Sequence, residues 1–484
     1  MKRAQVFATY MPTEEPETAA QADGLVVRAD LFGDPDNLPP TPACRIYDLR
    51  SADHGGVFQG SSGERRQRLT RAVTDYDLIV LEAHRDLIPE ILDQIPPRQR
   101  LVRWRGSSTH ERSLPDTFHQ LTQIPARYYQ LVVAANHPDE GLAPLRLLKE
   151  LARQDVTAYA SGPAGLWTRP LAAHLGAPLI FADEGPGQGL SPARWHSDYG
   201  FPQLRPLESL CGIVGKKVLT SPSPRIHNAA YAQIGLPSLF LPFYAEDFPR
   251  FHRHFIAGDA LGDLGWLLRG LTVVAPHKQA ALSLADTASP EARAGGAANV
   301  LVNKNSRWRA LTTDDIGLLE PLAMRDQDPA GKKVAVIGRG GSGRNAVRVL
   351  RGGGASVTLI NRDSARGRGA ASELGVPFQT LGQFDPAAFD MIVHATPKGG
   401  PREPPPFDLD RVSEDAVLVE YLYSGEPTQL VKQARQRGLT VIDGAEVLRA
   451  QVSAQFRFMN GTPMPQNVFQ HPSPVPATLT QPSS

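Results

Sequence analysis

The sequence predicts an α/β protein of several domains: an N-terminal (β/α)8-type barrel, then a second α/β region, then a doubly wound dinucleotide-binding domain. Three observations predict it. The chain has 484 residues, too many for a single core. Its first 190 residues alternate short β-rich runs with helical patterns. Later, "VAVIGRGGSGRNAV" sets a glycine-rich turn between a β-rich run and a helical pattern.

In the first region the candidate strands are "AQVFATY", "GLVVRADL", "CRIYDLRS", "YDLIVLEAH", "RLVRWRG", "YYQLVVAA", "VTAYAS" and "APLIFADEG". Amphipathic stretches such as "ERRQRLTRAVTDY" and "EGLAPLRLLKELARQ" lie between them. Eight strands with crossover helices suggest a closed parallel barrel, with an open doubly wound sheet as the alternative. Gln130, at the start of the apolar run of "YYQLVVAA", is out of place, because a desolvated amide without partners costs about 1–3 kcal/mol. "HSDYGFPQLRPLESL" (196–210) reads as a linker.

The composition is 41% hydrophobic and 21% charged, with a formal net charge of +1, so nothing points to nucleic acid or an anionic membrane. Two cysteines, Cys44 and Cys211, suit a reducing compartment and exclude a disulfide scaffold. No signal peptide or membrane-spanning run is expected, so the cytoplasm is the default. No metal is expected.

In the third unit Gly338, Gly340, Gly341, Ser342 and Gly343 shape a turn that suits a pyrophosphate at a helix N-terminus. The following strand, "SVTLINRD", ends in Asn361 and Arg362 rather than an acid, and Arg366 follows. Arginine favours a 2′-phosphate, so the cofactor expected is NADP; Asp363 is an awkward neighbour for that phosphate.

Between these regions, "SPSPRIHN" offers Ser221 and Ser223, "TVVAPHK" Lys278, "GAANV" Asn299 and "TTDD" Asp314. Singly, each reads as a helix cap or a solvated pair. Together, and in order with the glycine loop, "NRD" and "DGAEVLRAQVSAQF", they resemble shikimate dehydrogenase over residues 211–461. The resemblance implies NADPH-dependent reduction of 3-dehydroshikimate. It implies Lys278 as acid–base group, Asp314 as its orienting carboxylate, Ser221 and Ser223 on the ring carboxylate, and Asn299 and Gln451 on ring hydroxyls. The resemblance also extends the expected site to Tyr423, in "EYLYSGEPT". Thr272, Val274 and Thr312 depart from the family's motifs, which leaves quinate open as a substrate.

The upstream region resembles type I 3-dehydroquinate dehydratase over roughly residues 4–190, through "VVRADLF", "LRSADHGG", "AGLWTR" and "GPGQG". That family works through a lysine Schiff base with a histidine proton shuttle. Here the lysine position is Gln130, the histidine position Arg105 and the supporting glutamate position His54. A glutamine amide cannot form an imine, and an arginine is a poor base at neutral pH. Arg28, Arg50, Arg169 and Gln188 remain as a residual anion site.

The domains expected are a dehydratase-like barrel (1–204), a substrate domain (208–320), an NADP-binding domain (330–440), a returning helix (441–461) and a disordered tail (462–484). The function expected is NADP-dependent shikimate dehydrogenase with an inactive first domain. The alternatives are a working bifunctional enzyme, a quinate/shikimate dehydrogenase and a non-catalytic metabolite sensor. The partner expected is a small-molecule substrate, without nucleic acid or membrane.

Overall fold

Eight strands form the first sheet: β1 (Gln5–Thr9), β2 (Gly24–Arg28), β3 (Cys44–Asp48), β4 (Leu78–Glu82), β5 (Arg100–Ser107), β6 (Tyr128–Ala134), β7 (Val156–Ser161) and β8 (Leu179–Phe181). Their order is β7-β6-β5-β4-β3-β2-β1-β8 and each adjacent pair is parallel. Sequential neighbours with β8 returning beside β1 is the order of a barrel, and the open-sheet alternative falls. Among the described residues no ladder joins β7 to β8. The Thr157 hydroxyl spans that seam, accepting from Leu179 N and donating to Leu179 O at 3.4 Å each. The computed structural model describes residues 4–10, 22–34, 44–107, 113–182, 190–423 and 425–469.

These strands are buried along nearly their whole length, as sheets covered by crossover helices require. Side chains alternate between faces. Outward, Val27, Tyr47, Ile79 and Leu81 pack with Leu69, Ile91 and Ile95 of the outer layer. On β5, Arg103 and Arg105 share a face two residues apart, and the register sets Arg103 beside Gln130 of β6.

The stretch read as a linker begins inside a helix, Pro192–Tyr199. Ser191 caps it by accepting from Arg194 N, proline occupies its first turn, and Gly200 ends it in the left-handed region. Trp195 is fully buried, so this helix belongs to the core. Three parallel strands follow, β9 (Ser209–Gly215), β10 (Ser238–Tyr244) and β11 (Leu267–Val273), with β9 in the centre. Residues Met1–His277 make one compact unit and Lys278–Ser484 a second.

In the second unit β12 (Thr287–Ala288) lies parallel to β14 (Arg307–Leu311), which forms an antiparallel hairpin with β13 (Val300–Lys304). A six-stranded parallel sheet follows: β15 (Lys333–Ile337), β16 (Ser356–Asn361), β17 (Phe378–Thr380), β18 (Met391–His394), β19 (Val417–Glu420) and β20 (Thr440–Ile442). Its order, β17-β16-β15-β18-β19-β20, reverses between β15 and β18, the mark of a doubly wound dinucleotide fold. The helix Gly444–Asn460 packs along the helix Asp314–Ala323. Beyond it, Gln466–Phe469 forms a short turn with Arg449 over the Phe469 ring. The rest of the expected disordered tail, 470–484, lies outside the described residues. No described helix is long and apolar enough to cross a membrane.

Candidate active sites

At the carboxyl ends of the barrel strands, where such barrels carry their chemistry, the interior is filled by its own hydrogen bonds. Gln130 is buried and fully partnered: its Oε1 accepts from Arg103 Nε at 2.6 Å and its Nε2 donates to Tyr159 OH at 2.9 Å. Arg103 also donates to both oxygens of Asp48, at 2.8 and 2.9 Å, and Arg50 donates to the same carboxylate at 2.7 Å. Burial would raise the Asp48 carboxyl, but Arg103, Arg50 and Arg28 outweigh it and hold it well below the carboxylate range.

The other residues of the expected anion site are engaged as well. Arg28 grips Asp30 with two bonds of 2.8 Å. Arg169 donates to Phe181 O and Ala182 O and lies over the Tyr159 ring. Gln188 lies outside the described residues. Arg105, read as the histidine position, donates to His54 O at 3.2 Å and Ser161 Oγ at 3.3 Å. Burial, then the nearby Arg103 charge, push the His54 imidazole down to about 3. The guanidinium beside Gln130 is therefore Arg103. In the sequence its one sign is the two-residue spacing that puts Arg103 on the same face as Arg105.

In the first unit, Ser221 and Ser223 meet at the start of the helix Ser223–Ile234. Ser221 Oγ donates to Ser223 Oγ at 3.1 Å and accepts from Ser223 N at 3.2 Å. Two hydroxyls at a helix N-terminus suit a carboxylate. The rest of that motif is structural. His227 stacks on Phe240 with ring centroids 4.1 Å apart. Asn228 ties Asp198 O to the backbone of Phe240.

In the second unit four of the expected residues converge. Lys278 Nζ lies 2.8 Å from Asp314 Oδ2, while Asp314 Oδ1 accepts from Asn299 Nδ2 at 2.8 Å and Gln451 Nε2 at 3.2 Å. Asp314 opens its helix, where a carboxylate is favoured by the dipole. Its amide donates to Thr312 Oγ1 at 3.2 Å, so the threonine found in place of the family's asparagine serves as a backbone anchor. Thr313, unmarked by the sequence, accepts from Gln455 Nε2, and its amide donates to Asn299 Oδ1. Tyr423 is 38% exposed and makes no hydrogen bond to this cluster among the described residues. Burial, with Asp314 and Asp315 nearby, pushes the Tyr421 phenol far up.

The glycine loop fits a dinucleotide. Gly338 has φ +117°, and a Cβ there would meet Ala395 O at 2.6 Å; one at Gly343 would meet Gly338 O at 2.0 Å. These two keep the turn tight. Around Gly340 and Gly341 a Cβ would meet nothing within 4 Å, which leaves the exposed helix N-terminus open to a phosphate. Ser342 is exposed in the first turn of that helix. Asp363 is occupied as the cap of the next helix: it accepts from Arg366 N at 3.0 Å, which lowers its pKa. Arg366 lies 3.5 Å from Asp363, Arg362 is exposed, and Asn361 donates to Asp363 O. Among the described residues, no three His, Cys, Asp or Glu cluster as metal ligands.

Residues 213–301 match the shikimate dehydrogenase substrate binding domain, and residues 17–198 match type I 3-dehydroquinase. Among curated proteins, a shikimate dehydrogenase (NADP(+)) of Geobacter sp. (strain M21) is 34% identical over 274 residues, covering 54% of this chain and 92% of that protein. One of Caulobacter vibrioides is 34% identical over 259 residues, covering 52% and 89%. The chloroplastic bifunctional 3-dehydroquinate dehydratase/shikimate dehydrogenase of Arabidopsis thaliana is 24% identical over 466 residues, covering 89% of this chain and 75% of that one. A crystal structure of shikimate dehydrogenase in complex with NADP+ shares the fold, with a TM-score of 0.50 and 24% identity over 55% of this chain and 96% of its own. The chain belongs to the shikimate dehydrogenase family and carries, ahead of that part, a region matching type I 3-dehydroquinase.

Proposed function

We propose that this protein is an NADP-dependent shikimate dehydrogenase that interconverts 3-dehydroshikimate and shikimate in the route to aromatic amino acids. The observation that carries the reading is the Lys278–Asp314 pair, held by Asn299 and Gln451. Residues 208–320 are the substrate domain, 330–440 the cofactor domain and 441–461 the returning helix. When bound, NADP(H) supplies or accepts the hydride at C3. The loop from Gly338 to Gly343 holds its pyrophosphate, and Asn361, Arg362 and Arg366 hold its 2′-phosphate. Lys278 Nζ gives the proton to the developing C3 alkoxide and takes it back in the reverse direction. Asp314 holds that ammonium in place, and its second oxygen is fixed by two amides, so it cannot swing away. Ser221 and Ser223 bind the ring carboxylate, and Asn299, Gln451 and Tyr423 complete the site.

The first domain, in the same reading, has no dehydratase activity. Gln130 has no nucleophilic nitrogen, and its amide is already bonded on both ends. Arg28, Arg50 and Arg169 are the remnant of an anion cradle. The test is one purified sample assayed for NADP+ reduction with shikimate and with quinate, and for dehydration of 3-dehydroquinate. Reduction of NADP+ with shikimate and no dehydration is expected. The absence of any NADP+ reduction overturns the first claim, and dehydration overturns the second.

A further inference from the structure

The doubly wound sheet holds a buried polar relay outside the site described so far. His394 ends β18 and Glu420 ends β19, paired across the ladder, and both are fully buried. His394 Nδ1 lies 3.0 Å from each Glu420 oxygen, and His394 Nε2 lies 2.6 Å from Thr396 Oγ1. Glu420 also accepts from Leu422 N at 2.8 Å and from the Thr428 hydroxyl at 3.5 Å. Thr428 in turn caps the helix Gln429–Gln436.

The placement of this relay exceeds what core packing needs. On its other side His394 pairs with Ile337, the residue before the glycine turn. A Cβ on Gly338 would meet Thr396 Cγ2 at 3.0 Å, so Thr396 lies directly over that turn. The chain reverses its winding between β15 and β18, and ligands of such sheets bind at the carboxyl ends of the strands flanking that point. One imidazole thus fixes the loop after β18, while its carboxylate partner fixes the segment after β19 that carries Tyr423.

We propose that His394 is a positioning residue that sets the cofactor-cleft wall through the relay Thr396–His394–Glu420. The inference rests on the NADP-dependent reading above. Its consequence is specific: breaking the Thr396 link loosens the loop over the glycine turn and weakens cofactor binding, while the substrate groups around Lys278 stay in place.

The test is a double-mutant cycle on the full chain with Thr396→Val and His394→Asn, read by calorimetric titration with NADP+, by shikimate KM and by thermal melting. An asparagine amide reaches Glu420 from the position of Nδ1 but falls short of Thr396. Thr396→Val, which removes the bond to His394 Nε2 and the 3.3 Å bond from Lys398 N, is expected to weaken NADP+ binding about three- to tenfold, with shikimate KM within about twofold and a lower melting point for the imidazole Nε2 left unpartnered. His394→Asn is expected to weaken NADP+ binding as well, and the double variant to lose less than the sum of the two single losses, because both cut the His394–Thr396 link. Unchanged NADP+ affinity in Thr396→Val, or additive losses in the double variant, overturns the inference. Should His394→Asn fail to fold, Thr396→Val alone decides. No NADP+ binding by the unmutated protein overturns the functional reading and this inference with it. Binding by the unmutated protein and equal binding by Thr396→Val overturns this inference alone.

Discussion

Lys278 and Asp314 form a 2.8 Å ion pair although 36 residues separate them in the chain. The pair is half open to solvent on the lysine side, with 29% exposure against 18% for the aspartate. An ammonium anchored on one side and exposed on the other is placed to exchange a proton with a bound ring oxygen.

Lys278→Ala removes that proton donor and leaves the glycine loop untouched. Turnover is expected to fall by at least about a hundredfold, the low end for general acid–base groups, with NADP+ affinity unchanged within twofold. Steady-state assays and calorimetry on the same preparation check it. Wild-type turnover in the variant sinks the assignment of Lys278.

Arg362 is exposed beside an Asp363 that is occupied as a helix cap. With that carboxylate turned to its own helix, the arginine is free to read a 2′-phosphate. The unmutated protein is expected to prefer NADP+ over NAD+, and Arg362→Ala to cut the preference about tenfold, in keeping with one lost charge-assisted contact. Equal kcat/KM for the two cofactors before mutation refutes it.

Acid should destabilise the fold through its buried histidines. Burial pushes His227 down to about 3, and His54 likewise. The unfolded chain binds these protons near pH 6.5 while the folded chain does not, so stability falls as pH drops from about 6.5 towards 3. At pH 5 the contribution of His227 is about 2 kcal/mol, 1.5 units of unmet protonation. His227→Phe, whose ring can keep the stacking on Phe240, is expected to lose less stability between pH 7 and pH 5 than the unmutated protein. Urea midpoints at the two pH values measure the difference, and parallel losses in both proteins count against the argument.

The barrel is built into the strands that follow it. Trp167 is fully buried, and its ring centroid lies 5.3 Å from Phe243 and 5.4 Å from Phe255. Arg250 reaches back to Asp139 with bonds of 2.9 and 2.7 Å. Trp167→Ala is expected to cost about 3–5 kcal/mol, as for other large aromatic truncations, and to shorten the half-life of dehydrogenase activity on heating. A barrel that is a mere appendage would leave that half-life unchanged.

The fold was legible because each barrel strand is a short buried run rich in β-branched and aromatic residues between clear helical patterns. Lys278, Asn299, Asp314 and Gln451 were legible as motifs, and the hairpin and the two long helices of the second unit bring them together. Other features depend on register, which no single stretch carries. Period two places Arg103 and Arg105 on one face, but only the β5–β6 pairing shows that Arg103 meets Gln130. His394 reads as one polar residue closing "MIVH", and its partner 26 residues on is hidden until the strands align. The supposed linker failed for a local reason, since "SPARW" caps and starts a helix before the polar run begins.

Gln130 is where the proposed loss of the dehydratase reaction can be tested. Its Oε1 sits 2.6 Å from Arg103 Nε, and Arg103 is locked on Asp48. A lysine at 130 would bring a second cation against that guanidinium, and the carboxylate of Asp48 already serves Arg50 and Arg103. The mutual repulsion lowers the lysine pKa, which favours a nucleophilic amine. Yet the positions read as the proton shuttle and its support do not serve it: Arg105 bonds to His54 O and the His54 imidazole is held down to about 3. With 3-dehydroquinate and borohydride, the unmutated protein is expected to show no adduct on residues 1–200 by mass spectrometry. Gln130→Lys should show no dehydration, and stability lower by about 1–3 kcal/mol for the broken hydrogen bonds and the buried like charge. Dehydratase turnover in either protein would overturn the proposal that this barrel has lost the reaction.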